Sequence, residues 1–479
     1  MDYFAYQTTD DSLEPIAHLM GEDVALDAIA DGVGTPCFVY SARTMAEHAS
    51  RFRDAFSPID PMICYAVKAC SNLAILRRLF APQSSTASGG CGLGADVVSG
   101  LELERAWLAG CPMERIVFAG VGKSDAEIRA ALDGKYSPIR AHARAHGLTD
   151  PALRSPVGVL NTESRSELER IATIAGEIGL RANVAIRVNP DIDAGTHDHT
   201  TTGRASDKFG VTTKEAESLC RAYHQHDSVR VIGFHVHLGS PIYSVDPYTR
   251  VIALLCKLIE KVESSGVKIS HLDLGGGFGA DYSSGQTPSY QDFAGAIMPG
   301  LMPLVRRGIR IVLEPGRTIV GNAGVLLVSV RHVKRQSGRR FVICDAGMNA
   351  LIRPALYGAK HFIWPTKVQT GDIPERRSFE DSDPDEPCDV VGPVCESGDF
   401  LARGIRLPEV KRGDRLAVFT AGAYGMTMTN TYNDQQLPAE VLIDGGAANV
   451  VRERQSPIET IGPDIDTRSL SLAQETADG

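Results

Sequence analysis

The chain has 479 residues, of which 43% are hydrophobic and 23% charged, and its formal net charge is -10. That length exceeds one ordinary domain and fits two, with the composition of a globular protein. The acidic balance argues against a nucleic-acid partner, which needs a concentrated basic face. Apolar runs such as residues 325–330 are far too short to span a bilayer.

In chain order, Met1 to Asp11 carries neither a basic stretch nor an apolar core, so no signal peptide is expected. Between residues 60 and 317 eight short apolar runs follow one another, at 62–67, 95–98, 115–119, 157–161, 184–188, 231–236, 269–274 and 309–313. They are rich in Val and Ile and nearly continuous in hydrophobicity, as parallel strands buried on both faces are. Helical patterns lie between them. One covers 100–110, with Leu101, Leu103, Trp107 and Leu108 as its apolar stripe; another covers 163–179, opening on acidic residues and ending in glycine. Eight strand–helix alternations in about 250 residues predict a closed (β/α)8 TIM-type barrel, with a doubly wound open sheet as the alternative.

After residue 325 the texture changes. Runs at 325–333, 340–344, 390–394, 415–419 and 440–444 read as strands without long helices between them, hence a mainly β second domain. The division expected is 1–43, a segment joining the β domain; 44–324, the barrel; and 325–479, the β domain. Residues 81–92 and 366–387 read as surface insertions. Ten cysteines occur without a C-x-x-C pair, mostly in apolar segments, which predicts reduced, buried thiols in a cytoplasmic protein.

Active residues of a barrel lie at the C-terminal ends of its strands. The first run ends in Lys68, which taken alone reads as a surface charge or as a buried amine, whose neutral form an apolar, closed site would favour. The sixth ends in His235, Val236, His237, Leu238, Gly239 and Ser240. Its H-x-H pair could hold zinc, but no complete set of further ligands is evident, so no metal is expected. The seventh ends in Asp273 and the glycines Gly275, Gly276, Gly277 and Gly279, which let backbone N–H groups wrap an anion. The eighth ends in Glu314, Pro315, Gly316 and Arg317, beside that loop. Together these suit pyridoxal 5'-phosphate (PLP): Lys68 to carry it, the glycines, Ser240 and Arg317 for its phosphate, Glu314 for its pyridine nitrogen, and His237 for its ring face.

With these motifs the sequence resembles the alanine-racemase-like (fold type III) PLP decarboxylases, the group of the ornithine, arginine and diaminopimelate decarboxylases. It is most similar to the last of these. The similarity runs from about residue 20 to about 452, and is carried further by Asp193 to His197, Lys208-Phe209-Gly210, Asp345 to Asn349, Arg353 to Tyr357, Gly392 to Asp399 and Gly422 to Gly425. The sequence departs from that pattern at Cys70, at Pro241 and over Asp434 to Leu437.

The resemblance implies PLP on Lys68, with Glu314 at the pyridine nitrogen. It puts Ser240, Gly276, Gly277, Gly316, Arg317 and Tyr424 around the phosphate or substrate. Arg317, Arg353, Tyr357, Glu396 and Tyr424 would meet the substrate, while Cys395 and Glu396 would reach in from the partner of a homodimer. The implied catalytic groups are Lys68, Cys395, as proton donor, and His237. The implied reaction is meso-2,6-diaminopimelate to L-lysine and CO2. Its rivals are decarboxylation of ornithine, arginine or a carboxylated polyamine, and a PLP racemase.

Overall fold

Eight runs of small and branched apolar residues become the parallel strands Met62–Ala66, Gly94–Val97, Ile116–Phe118, Val159–Thr162, Ala182–Arg187, Val229–His235, His271–Asp273 and Arg310–Leu313. The last pairs with the first, Val312 opposite Met62, so the sheet closes into the expected barrel. In this computed structural model the residues described are 3–8, 15–83, 90–146, 155–197, 200–282, 287–374 and 386–465.

The helices between strands start where Ser or Thr can accept a hydrogen bond from an otherwise orphaned backbone N–H. Ser99, Ser124, Ser164, Thr212 and Ser289 cap Gly100–Leu108, Asp125–Leu132, Arg165–Glu177, Thr213–Tyr223 and Tyr290–Arg306 in this way. In Gly100–Leu108 the buried face is narrower than the apolar stripe in the sequence. Leu103 and Trp107 are buried, one turn apart, whereas Leu101 and Leu108 are exposed.

Side chains alternate in and out along each strand. The inward positions at one level, Cys64, Val117, Val159, Ala185 and Val312, form a separate apolar cluster that fills the barrel floor. Two residues further along the strands, the inward layer turns polar.

Beyond the barrel lies a nine-stranded sheet. Its main path runs Phe400–Ile405, Cys388–Val391, Arg339–Cys344, Gly324–Gln336, Cys37–Ser41, Ala439–Asp444 and Ala447–Arg452. Cys37–Ser41 comes from the N-terminal segment and is paired on both sides, with Gly324–Gln336 and with Ala439–Asp444. A smaller sheet joins Phe4–Thr8, Ile16–Gly21 and Lys367–Gln369. The last of these falls inside the stretch 366–387 read as an insertion, of which 375–385 lie outside the described residues. Likewise, 84–89 of the stretch 81–92 are outside them. Among the described residues no helix is long and apolar enough to cross a membrane.

Candidate active site

The polar layer above the barrel floor follows from the two-residue period. Gly94 is followed by Asp96, Val159 by Asn161, Ala185 by Arg187, Gly233 by His235, His271 by Asp273 and Val312 by Glu314, and all six of these polar residues are buried. A buried polar layer at the C-terminal end of a closed barrel is costly unless it is paired or awaits a ligand. Arg187 is answered by Glu163 at 2.7 Å. His235, Asp273 and Glu314 bring ligand-type atoms within 4.8 Å of one another, the only such group among the described residues. Neither nitrogen of His235 and not Oε1 of Glu314 has a protein hydrogen-bond partner.

The two carboxyls of that group are driven apart. Burial, and then the neighbouring Glu314, push Asp273 well above the usual carboxylate range. Burial would do the same to Glu314, but His235 and then Lys68 outweigh it and hold Glu314 well below that range. Of the two, Glu314 is the one whose ionised form the surroundings favour.

Lys68 follows its strand on a single 3-10 turn, Val67–Ala69. Its Nζ lies 2.8 Å from Oδ2 of Asp96, with the lysine side chain one-third exposed and Asp96 fully buried. This corrects the expectation of a neutral amine. Burial does disfavour the charge, but Asp96 and Glu314 together more than offset it, and the amine is held above its ordinary range. Asp96 is itself raised, by burial and Glu314, against the pull of Lys68. Sequence reasoning missed Asp96, although its place at the end of the second strand was the available signal.

The H-x-H pair splits at the strand end. His235 closes the strand Val229–His235; His237 lies beyond it and its Nδ1 accepts a hydrogen bond from the Gly276 N–H at 3.1 Å. An accepting Nδ1 carries no proton, so His237 is neutral with its proton on Nε2. Burial, then Lys68 and Arg187, lower its pKa in the same sense. The glycine run threads between strand ends at close quarters. Gly275 and Gly277 take φ of 69° and 104°, and a Cβ on Gly276 would sit 2.3 Å from the Glu314 carbonyl oxygen. Arg317 donates through Nε to Ser240 Oγ at 3.2 Å and through Nη1 to the Tyr282 hydroxyl at 2.7 Å, and lies over the Tyr424 ring.

One pocket brings Lys68, His237, Ser240, Gly276, Gly277, Glu314, Gly316, Arg317 and Tyr424 together. A cavity of about 310 Å³ shares Ser240 and Arg317 with it and adds Tyr282, Arg353 and Tyr357. Cys395 and Glu396 line neither pocket. They sit on an exposed turn, where the Cys395 N–H donates to Asn433 Oδ1 at 2.9 Å. The turn is tied down by buried Asp399, whose carboxylate accepts from the Val394 and Met348 N–H groups, both at 2.6 Å. Of the ten cysteines Cys395 is the one classed as exposed.

The sequence pattern of the family described as pyridoxal-dependent decarboxylase, pyridoxal binding domain, matches residues 42–321. The diaminopimelate decarboxylase of Aquifex aeolicus is 39% identical over 446 residues, 93% of this chain and 95% of that one. The chain belongs to the diaminopimelate decarboxylase family. Among solved structures, the family member from Helicobacter pylori, complexed with L-lysine, superposes with a TM-score of 0.79 at 34% identity, covering 92% of this chain and 99% of that one. The family member from M. jannaschii, in co-complex with L-lysine, gives 0.80 at 30% identity, covering 98% and 99%.

The residues present fit PLP, the cofactor of this family. Glu314 offers a buried Oε1 that has no protein hydrogen-bond partner, with His235 Nε2 at 3.7 Å favouring its ionised form. Gly276, Gly277, Ser240 and Arg317 line the same pocket, residue types that suit a phosphate. Lys68 enters the same pocket.

Proposed function

We propose that this protein decarboxylates meso-2,6-diaminopimelate to L-lysine and CO2, with PLP held on Lys68. The observation that carries the reading is a second buried guanidinium, Arg353, in the cavity that adjoins the Lys68 pocket. Diaminopimelate keeps a carboxylate at the end that does not react, and ornithine has none. A guanidinium fork suits that carboxylate by charge-assisted hydrogen bonds. The family members from Helicobacter pylori and M. jannaschii, solved with L-lysine, support the same end group.

Bound PLP supplies the electron sink for the pair left behind when CO2 departs. Ionised Glu314 holds a proton at the pyridine nitrogen. Neutral His237, its Nδ1 engaged by the Gly276 N–H, would pack against the face of the ring. Ser240, Gly276, Gly277, Gly316, Arg317 and Tyr424 bind the phosphate and the adjoining part of the substrate. Arg353 and Tyr357 orient the distal end.

Two roles call for a second copy of the chain. Cys395 as proton donor and Glu396 as partner of the distal ammonium stand on an exposed turn outside their own pocket. A two-fold dimer in which each subunit lends this turn to the other's barrel completes both sites. The free, mostly buried thiols support a reducing, cytoplasmic setting.

The test is a product assay with diaminopimelate, ornithine, arginine and lysine offered separately in the presence of PLP. Diaminopimelate should be turned over far faster than the others. Faster release of CO2 from ornithine or arginine would overturn the reading.

A further inference from the structure

Behind Arg353, away from the cavity, stands His361. Both side chains are buried. His361 Nδ1 faces the Phe419 carbonyl oxygen at 2.9 Å, and Nε2 faces Arg353 Nη1 at 3.0 Å. A carbonyl oxygen can only accept, so Nδ1 is the nitrogen that carries the proton, and Nε2 is left as an acceptor. The guanidinium can only donate, so the two contacts fix one tautomer without ambiguity. The anchor is firm: Phe419 N–H donates back to the Phe362 carbonyl at 2.9 Å, next to the pairing of Ile363–Pro365 with Arg415–Val418.

Arg353 is held on a second side by Tyr282. Its guanidinium carbon lies 5.0 Å from the centre of that ring, and the ring meets His361 edge-on at 5.3 Å. The Tyr282 hydroxyl in turn accepts from Arg317. Arg353 is thus oriented by a ring and an imidazole. A carboxylate in place of His361 would hold the fork equally well, but it would neutralise the charge that a substrate carboxylate has to meet. Burial, and then the Arg353 charge, bring the His361 pKa down to about 3, against the pull of the Phe419 carbonyl, so the ring stays neutral at any working pH.

We propose that His361 is the positioning residue for recognition of the substrate's distal carboxylate: as a neutral acceptor it fixes the Arg353 fork while leaving its full positive charge to the ligand. This rests on the reading of Arg353 given above. His361 does not line the pocket that Lys68 enters. Its removal should therefore act on binding of the distal end and leave the chemical step nearly untouched.

Two conservative variants separate the halves of the device. His361→Asn keeps a donor near the Nδ1 position and loses the acceptor at Nε2. His361→Gln keeps an acceptor near Nε2. The measurements, on PLP-loaded enzyme, are KM and kcat for diaminopimelate, together with calorimetric affinities for L-lysine and for 1,5-diaminopentane, which is lysine without its carboxylate. His361→Asn should raise KM and weaken lysine about tenfold, with kcat within about threefold and diaminopentane unaffected. His361→Gln should recover most of the loss. Arg353→Ala should weaken lysine at least as much, and adding His361→Asn to it should cause no further loss.

If Arg353→Ala weakens lysine and His361→Asn does not, the inference about His361 fails while the reading of Arg353 stands. If Arg353→Ala itself spares lysine, that reading fails. Equal weakening of lysine and diaminopentane by His361→Asn, or a double variant clearly worse than Arg353→Ala alone, would assign His361 a merely structural role and overturn the proposal.

Discussion

Asp96→Asn probes the proton on Lys68 with almost no change of shape. In the native protein Lys68 Nζ donates to a fully buried carboxylate oxygen at 2.8 Å, and Asp96 Oδ1 has no protein hydrogen-bond partner of its own. The asparagine oxygen can still accept from Nζ, so what is lost is the charge. A hydrogen bond to a charged group contributes roughly 1.5–3 kcal/mol and a neutral one roughly 1, so the ammonium loses about 1.4 kcal/mol of stabilisation. That corresponds to about tenfold more neutral amine at any pH where the ammonium dominates. Glu314 remains and continues to favour the charged form, which keeps the effect from growing larger. Only the neutral amine captures the aldehyde of free PLP, so the rate of cofactor uptake by the apoprotein reports its fraction. Stopped-flow absorbance across a pH series should show the variant loading about tenfold faster near neutrality, with its whole profile displaced to lower pH. Borohydride fixation followed by peptide mapping should find the label on Lys68. A profile that stays where it was, or moves to higher pH, would show that Asp96 does not govern this proton.

Subunit sharing predicts complementation. Lys68→Ala and Cys395→Ala, each nearly inactive alone, should regain about a quarter of native activity when equal amounts exchange subunits, because half the dimers are then mixed and half of their sites intact; confirmed heterodimers without activity would refute the shared site. Acid sensitivity should come from buried neutral imidazoles. The pKa values of His361 and His271 are brought down to about 3 and about 4, chiefly by burial, from an ordinary 6.5. The unfolded chain then binds protons that the folded one refuses, so stability is full above about pH 6.5 and declines as pH falls towards 4, by about 1.4 kcal/mol per pH unit for each histidine. Urea midpoints measured from pH 7 to pH 4.5 should show this slope, and His361→Gln should make it shallower; an unchanged slope in that variant would remove His361 from the account.

The barrel was legible because its strands are buried on both faces, so each reads as an unbroken apolar run whatever its length. All eight runs correspond to barrel strands. The polar residues that follow them were legible for the same reason, since a Lys, His or Glu just past such a run has only the barrel mouth to enter. What escaped was short or relational. Lys367–Gln369 has three residues, too few to show a period, and owes its existence to pairing with Ile16–Gly21, some 350 residues away. The charge on Lys68 depends on Asp96 from the neighbouring strand. Burial alone predicts a neutral amine; only the pairing of the first two strands reveals the opposing carboxylate. Arg353 opens the short helix Arg353–Tyr357 and His361 lies past its left-handed Gly358, so no single helical or strand period links the imidazole to the guanidinium in the sequence.

The strand Cys37–Ser41 is made well before both of its neighbours, Gly324–Gln336 on one side and Ala439–Asp444 on the other. The barrel can close once residue 313 has emerged, since its own strands all lie between Met62 and Leu313. The earlier strand can pair with Gly324–Gln336 soon after the barrel closes, but its other edge must wait for Ala439–Asp444, about 400 residues after Cys37. At ribosomal rates of roughly 5–20 residues per second, that edge stays open for on the order of 20–80 s. A ribosome stalled before residue 439 would therefore release a chain with a finished barrel and an open strand edge, a natural target for chaperones during synthesis.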